Sequence, residues 1–221
     1  MKEGTRYAER LRKAYARIRP SVSVPTMPDP LDPIRCLATA VLGGECGDPA
    51  TERWIDRIFT VMVDWNEVRV SNPLQVAEAL VDTSPEVVQR CQRLVSALRA
   101  VFNREHKLSL DRIRTLGRRE ARQYLESLDG VDGFAVASVV LWCFGGHAIP
   151  VSDRLLEALR KGELVNPAAD RDEVQAFLER NVPAAQAGEF SLVMRSYAPA
   201  KRPPPLRSRP AKSRGKAAPG A

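Results

Sequence analysis

The sequence predicts an all-α protein, and three observations support this fold class. Apolar residues recur at three- and four-residue intervals in nearly every periodic segment, as they do on one face of a helix. No segment alternates apolar and polar residues in the way that a half-buried strand does. Prolines and cap-forming residues stand where the periodic segments begin, as in Asn72-Pro73 and Ser84-Pro85.

The predicted helices follow one another along the chain. Residues 5–19 form a basic amphipathic helix that Pro20 ends, and a proline-rich connector occupies 20–33. The almost wholly apolar run at 34–43 indicates a buried helix, and 85–105 is the longest helix. Further helices are predicted at 50–65, 74–82, 119–128, 135–145, 155–162, 172–181 and 183–198.

Composition restricts the class of protein. The 221 residues are 44% hydrophobic and 28% charged, which is typical of a soluble globular protein with a substantial core. No run approaches the roughly 18 apolar residues of a membrane-spanning helix. The first 20 residues are charged and lack the apolar core of a secretory signal. We therefore expect a cytoplasmic protein with no membrane partner, associated with the nucleoid if it is prokaryotic.

The four cysteines, Cys36, Cys46, Cys91 and Cys143, are widely and irregularly spaced. No CxxC pair is present and each cysteine lies in or beside an apolar stretch, so a structural zinc site is not expected. The pattern predicts buried, reduced thiols.

Positive charge is concentrated at the C-terminus. Seven of the 34 Lys and Arg residues lie in 201–221, which has no acidic residue, so 1–200 carries 27 basic and 27 acidic residues. Five prolines and few apolar residues predict that this tail is disordered. A cationic tail on a neutral body is typical of a nucleic-acid tether, while a solubility tail or a binder of any acidic partner has the same composition.

The segment LDGVDGFAVASVV, residues 128–140, places a glycine-bearing turn before an apolar helix. Gly130 and Gly133 allow a positive φ or the close approach of another backbone. N–H groups in the turn and at the start of the helix lack intrahelical partners, so they form a seat for an anion such as a phosphate. An ordinary turn between two packed helices is the alternative.

This segment resembles the helix-hairpin-helix of the endonuclease III group of DNA glycosylases, in which a Leu-Pro-Gly-Val-Gly hairpin grips the DNA backbone. One helix further on, FGGHAIPVSDRLLEAL at 144–159 is similar to the family's Val-Asp-Thr-His segment. LGGECGD at 42–48 resembles its Leu-Ser-Ala-Gln-x-x-Asp, and RLRKAYARIRP at 10–20 resembles its first helix.

The resemblance implies a two-lobed helix-hairpin-helix glycosylase fold. One lobe is a six-helix unit at 34–144, the second combines 1–33 with 145–200, and 201–221 is the disordered basic tail. It also implies a monomer that binds damaged or distorted double-stranded DNA for base-excision repair, with a base flipped into the groove between the lobes. The residues that we expect to bind DNA are Gly130, Val131, Asp132, Gly133, Phe134, Glu45, Lys201, Arg202, Arg207 and Arg209.

The chain departs from the family at its catalytic positions. The lysine that attacks the sugar in bifunctional members aligns with Phe134, which has no nucleophilic nitrogen, so no lyase step is expected. The catalytic aspartate aligns with Ser152, whose hydroxyl cannot supply the charge of a carboxylate. Asp153 either takes that role or, together with Ser152, caps a helix. No cysteine follows Cys143, so no iron–sulfur cluster is expected.

Two acidic residues stand at expected DNA contacts. Glu45 takes the place of a glutamine that enters the duplex, and Asp132 replaces the second glycine of the hairpin. Negative charge there weakens DNA binding unless a monovalent or divalent cation bridges the hairpin and the phosphate. The alternative is that each of these residues is a solvated or capping carboxylate. We expect no other cofactor.

Two clusters and the function itself allow more than one interpretation. The polar stretch 63–71 either faces a substrate or has a structural role, in which Trp65 plugs a helix end while Glu67 pairs with Arg69. The function is either that of a monofunctional glycosylase that uses Asp153, of a non-catalytic binder that recruits repair factors, or of an adaptor that binds any polyanion. Five arginines before the hairpin either extend a phosphate footprint or form a solvated helix face: Arg112, Arg114, Arg118, Arg119 and Arg122.

Overall fold

The computed structural model describes residues 2–24 and 31–198, and these form helices and turns with no β-strand among them. The all-α prediction is confirmed for this part of the chain. None of the described helices is both long and apolar enough to cross a bilayer. The helices are α1 Lys2–Ile18, α2 Pro33–Val41, α3 Pro49–Val61, α4 Trp65–Val70, α5 Pro73–Ala79, α6 Pro85–Glu105, α7 Arg118–Glu126, α8 Gly133–Phe144, α9 Asp153–Lys161, α10 Arg171–Asn181 and α11 Ala187–Tyr197.

Side-chain caps and prolines begin several helices. Asn72 caps α5 as the sequence predicts, whereas the Ser84 side chain makes no capping hydrogen bond ahead of α6, where Pro85 alone marks the helix start. Asp32 caps α2 although the sequence places it in the connector. The carboxylate of Asp32 accepts a hydrogen bond from the Ile34 N–H at 2.9 Å, directly ahead of α2. The side chain of Asn72 does the same for the Leu74 N–H at 2.9 Å, ahead of α5. Each cap satisfies an N–H group that has no carbonyl partner inside its helix, while a proline at the first position removes another.

The helix α8 lies in the core of the molecule. Every side chain from Phe134 to Leu141 is buried, and α2 packs along this helix. A helix that is apolar all round is stable only when neighbours cover every side of it. Because α8 begins at the hairpin, its packing fixes the position of the hairpin residues that precede it.

The helix α1 returns to pack against the C-terminal helices. The ring of Tyr15 stacks on that of Phe190 in α11, with centroids 5.4 Å apart, and Arg19 forms an ion pair with Glu189. The helix α9 contacts α11 as well. A lobe built from both ends of the chain requires that the first helix packs on the last ones, and α1 does so. The boundaries of the two lobes stay a prediction.

The prediction of reduced thiols is wrong for one pair of cysteines. Cys36 in α2 and Cys46 are joined by a disulfide, with Cα atoms 5.6 Å apart. Cys91 and Cys143 are buried free thiols, and burial raises the pKa of each to about 12. Irregular spacing alone does not distinguish two buried thiols from a disulfide, because the decision depends on where the turn after α2 places Cys46.

The predicted pairing inside the 63–71 stretch is also wrong. Asp64 caps α4 by accepting from the Glu67 N–H at 2.9 Å, and the Glu67 carboxylate accepts from the Val63 N–H at 2.5 Å. The guanidinium of Arg69 instead lies 3.8 Å from the centroid of the Phe102 ring. Glu67 and Arg69 therefore stabilise the start of α4 and its packing on α6 through separate contacts.

Candidate functional site

The hairpin between α7 and α8 is held against α6. The Val131 N–H donates to the carbonyl of Leu128 at 3.2 Å, which closes the turn, and the side chain of Leu128 is buried. Gly130 has a φ of +81°, and a Cβ built on it would lie 2.3 Å from the carbonyl oxygen of Arg93. Arg93 Nε in turn donates to the Gly130 carbonyl at 3.2 Å. Only glycine fits this position, since both the positive φ and the backbone contact exclude a side chain.

The hairpin presents N–H groups that lack backbone partners. In the described part of the chain, no carbonyl or side chain accepts from the N–H groups of Gly130 and Asp132. The N–H groups of Gly133 and Phe134 belong to the first turn of α8, where the helix has no carbonyl four residues earlier to offer. Gly133 is exposed, so an anion in solution can reach this end of the helix.

Carboxylates lie beside the same N–H groups. One oxygen of Asp132 accepts from the Ala135 N–H at 2.9 Å, and the other lies 2.7 Å from a guanidinium nitrogen of Arg93. From α10, Asp172 approaches closely enough that a Cβ built on Gly133 would lie 3.5 Å from its Oδ1. Arg93 offsets the charge of Asp132, whereas Asp172 adds negative charge next to the exposed N–H groups.

A cation at the hairpin stays a prediction. No group of three or more His, Cys, Asp or Glu side chains that could hold a metal occurs among the described residues. A cleft of about 410 Å³ does adjoin Gly133, and it is lined by charged side chains from α7 and α10, including Arg122, Asp172 and Glu179.

A second, smaller pocket lies where α8, α9 and α11 meet the loop between α2 and α3. Its volume is about 10 Å³, which is room for about one water molecule. The walls combine apolar and polar side chains, and they comprise Glu45, Cys46, Phe134, Ser138, Trp142, Pro150, Leu155, Ser191 and Arg195.

Glu45 places a carboxylate in this pocket and binds three side chains there. Its Oε2 lies 2.6 Å from Arg195 Nε, and its Oε1 accepts from the Ser152 hydroxyl at 2.9 Å and lies 3.4 Å from Arg154 Nη2. The side chain of Glu45 is 11% exposed and that of Arg195 is 19% exposed. Because both charges are largely withdrawn from water, removal of either one leaves the other buried without its nearest opposite charge.

Arg195 is held in the pocket by more than its ion pair. Its guanidinium lies 5.4 Å from the centroid of the Trp142 ring, within range of a cation–π contact. Burial lowers the pKa of Arg195, while the Glu45 carboxylate raises it. An arginine nonetheless stays protonated in proteins, so the pocket keeps an ionised pair.

Asp153 lies away from this pocket. Ser152 caps α9 by accepting from the Leu155 N–H at 3.3 Å, and Asp153 is the first residue of the helix. The side chain of Asp153 is 81% exposed and forms an ion pair with Arg171 of α10. The geometry therefore matches the interpretation of both residues as a cap, and it brings Ser152 rather than Asp153 to the carboxylate of Glu45.

The remaining predicted residues fall into three groups. Phe134 is buried and forms part of the pocket wall as well as the end of the hairpin. Val131 packs partly buried against the core. The tail residues Lys201, Arg202, Arg207 and Arg209 lie outside the described residues.

Three of the five arginines before the hairpin bind within the protein. Arg112 pairs with a buried glutamate side chain at 2.8 Å, Arg114 donates to a carbonyl in α8 at 3.0 Å, and Arg122 lies 3.4 Å from a carboxylate of α10. Arg118 and Arg119 are exposed. This second pair is therefore the better candidate for contact with a phosphate.

Sequence reasoning missed Arg195, Arg154 and Trp142. All three reach Glu45 or its immediate partner, but they lie on three different helices, so no local pattern connects them. One signal was present, because Arg195 directly follows the buried apolar run Leu192-Val193-Met194 of α11. A charge on the buried face of a helix requires a partner, and here that partner is Glu45.

Several solved protein structures share this fold. A complex of endonuclease III trapped covalently on DNA superposes with a TM-score of 0.67 at 16% identity, over 89% of this chain and 90% of that one. A thermostable thymine-DNA glycosylase superposes with a TM-score of 0.60 at 17% identity, over 91% and 89% of the two chains. The chain has the endonuclease III fold. The helix-hairpin-helix glycosylase architecture expected from the resemblance is thereby confirmed.

Within the endonuclease III fold, a third similar structure is the 8-oxoguanine glycosylase/lyase of Clostridium acetobutylicum in complex with double-stranded DNA. It superposes with a TM-score of 0.59 at 16% identity, over 76% of this chain and 60% of that one. No protein-family model matches the sequence, and neither does any curated protein. The likeness to these structures therefore lies in the fold, at sequence identities of 16–17%.

Proposed function

We propose that this protein binds duplex DNA in a base-excision-repair role, with the hairpin at 128–134 contacting one strand. The observation that carries the proposal is the set of unpartnered N–H groups at Gly130 and Asp132 and at the start of α8. Such groups bind phosphate oxygens without reading sequence, and the positive end of the helix dipole adds to the attraction. Proteins of the same fold are known in complexes with DNA.

The charge distribution supports the same proposal. The body at 1–200 is neutral, so affinity for DNA depends on local features and on the seven cations of the tail. Asp172 opposes a phosphate at Gly133, and a bridging monovalent or divalent cation would relieve this repulsion. We propose that the protein acts as a monomer and favours damaged or distorted duplexes, because a distorted duplex yields a base at lower cost.

The hairpin assignment is tested with two variants that each remove one negative charge. Asp172→Asn removes the carboxylate beside Gly133, and Glu78→Gln removes an exposed carboxylate on α5. Fluorescence anisotropy with a labelled duplex at fixed salt should show affinity raised several-fold by Asp172→Asn and little changed by Glu78→Gln. Equal affinities for the two variants would show that no phosphate lies at the hairpin.

The same experiment separates DNA binding from attraction to any polyanion. Heparin is expected to bind the tail, whereas the duplex is expected to bind both the tail and the hairpin. Asp172→Asn should therefore change the affinity for the duplex and leave the affinity for heparin unchanged. An equal gain for heparin would favour the polyanion adaptor.

Lyase activity is not part of the proposed function. A lyase step requires an amine that attacks the sugar, and the pocket lining contains Phe134 and no lysine. Incubation with a duplex that carries one abasic site, followed by borohydride reduction, should therefore trap no covalent adduct. A trapped adduct would contradict this reasoning.

A second candidate is a DNA binder that removes no base. The specific observation in its favour is the volume of about 10 Å³ in the pocket, which is far too small for a nucleobase unless side chains move. The carboxylate of Glu45 is also neutralised by Arg195 and Arg154. Tight binding to damaged duplexes without any release of base would establish this candidate.

A further inference from the structure

We propose that Glu45 supplies the carboxylate for cleavage of the glycosidic bond, in place of Ser152 and Asp153; this inference rests on the proposed DNA-binding function. Glu45 contributes the pocket's one carboxylate among its nine lining residues. Its Oε1 lies 2.9 Å from the Ser152 hydroxyl, so the negative charge stands one hydrogen bond from the N-terminus of α9. The carboxylate beside the start of α9 thus comes from the loop after α2.

The loop that carries Glu45 is held rigidly. The residue after Glu45 is Cys46, which is covalently linked to Cys36 inside the buried helix α2. The carbonyl of Glu45 also accepts from the Asp48 N–H at 2.9 Å. Because the backbone around Glu45 is already fixed, little further conformational entropy is lost when its side chain takes up one position. The charge then stays in one place, as a catalytic group requires.

The chemistry that this placement serves is hydrolysis of a base–sugar bond. The C1′–N bond breaks and its electron pair leaves with the base, so positive charge develops on the sugar and is stabilised by the Glu45 carboxylate. A water oxygen then bonds to C1′, and Glu45 accepts the proton that this water loses. The proton passes to the departing base, which restores Glu45, and the products are a free base and an abasic sugar.

The two arginines control access to this carboxylate. Arg154 is partly exposed at the edge of the pocket, where a DNA phosphate competes with Glu45 for its guanidinium. Arg195 fills the interior between Glu45 and Trp142, so a base enters only when Arg195 moves aside. In the free protein Arg154 and Arg195 thus keep the Glu45 carboxylate neutralised, and Arg195 keeps the pocket closed. The proposal requires that DNA binding draws both guanidinium groups away from Glu45.

The proposal is tested by moving the carboxylate. Four variants are compared with the natural chain: Glu45→Gln, the double variant Glu45→Gln with Ser152→Asp, Asp153→Asn, and the control Glu78→Gln on α5. Duplexes that carry a single 8-oxoguanine, G·T mismatch or 5,6-dihydrouracil are the probes, and abasic product is measured by alkaline cleavage. Affinity for the same duplexes and the thermal melting of each variant are measured in parallel.

We expect the natural chain and Glu78→Gln to release base from at least one probe. Glu45→Gln should lower the rate by about a hundredfold or more with affinity little changed, since general-base groups contribute about that much. The double variant should recover at least part of the rate, because it returns a carboxylate to the same junction. Recovery in a variant that carries the same Glu45→Gln change separates catalysis from folding.

Three outcomes would overturn the proposal. One is an unchanged rate in Glu45→Gln, and a second is loss of rate in Asp153→Asn, which would assign the chemistry to Asp153. The third is binding of all three duplexes with no base released by the natural chain, which leaves the proposed DNA binding intact. Absence of binding would instead refute the proposed function itself.

Discussion

Replacement of Gly130 should unfold the hairpin rather than merely block a ligand. An L-residue at a φ of +81° costs about 1–2 kcal/mol. The new Cβ would also lie 2.3 Å from the Arg93 carbonyl oxygen and 3.1 Å from its carbon, so backbone has to shift at a further cost of about 1–3 kcal/mol. Gly130→Ala should therefore lower the free energy of unfolding by about 2–5 kcal/mol, and Gly130→Pro by more.

The matched control is Gly133→Ala, three residues away. A Cβ at Gly133 meets only Asp172 Oδ1, at the ordinary contact distance of 3.5 Å, and its φ lies outside the left-handed region. Thermal melting followed by circular dichroism should show Gly130→Ala melting several degrees or more below the natural chain, at about 2–4 °C per kcal/mol for a chain of this size. Gly133→Ala should stay close to the natural value, and equal melting temperatures for the two variants would refute the reasoning.

Three further predictions concern stability and charge. Glu45→Ala should lower the free energy of unfolding by about 3 kcal/mol because Arg195 stays buried without its ion-pair partner, whereas replacement of the exposed Asp153 by Ala should cost less than about 1 kcal/mol by urea unfolding. Deletion of 201–221 should reduce the slope of log affinity against log salt by as much as about 6, measured by anisotropy over a salt series. Stability in urea should fall as pH rises from 9 towards 12, because the buried thiols Cys91 and Cys143 keep their protons in the folded state while thiols of the unfolded chain release theirs.

Each of these predictions has an outcome that contradicts it. Equal costs for Glu45→Ala and Asp153→Ala would mean that the buried ion pair contributes no more than the exposed one. A salt slope that does not change on deletion would show that the tail makes no contact with DNA. A flat stability profile above pH 9, or one that Cys91→Ala leaves unaltered, would show that burial does not protect the thiols.

Local features of the sequence predicted most of the helices. Asn72-Pro73 begins a helix because a cap and a proline act on the backbone within one turn of their own position. The apolar run at 34–43 is buried for an equally local reason, since a segment without a polar face cannot border water. The family resemblance, carried mainly by 128–156, extended these elements to a complete fold.

The site was less accessible to the same reasoning. The sequence places Ser152 and Asp153 at a helix start but does not determine which of them faces inward, because one residue of register turns a helical side chain by about 100°. The sequence also marks Glu45 as an acid at an expected DNA contact, and only the packed loop shows its carboxylate turned towards Arg195.

What the sequence determined by itself was therefore the class of fold, the hairpin and its glycines, and the presence of Phe134 and Ser152 where the family resemblance implies a lysine and an aspartate. What the tertiary structure decided was the partnership of Glu45 with Ser152, Arg154 and Arg195, and the disulfide beside it. The reason is physical: caps and helical periodicity act over a few residues, whereas a buried charge is satisfied by whichever distant side chain the packing brings within reach.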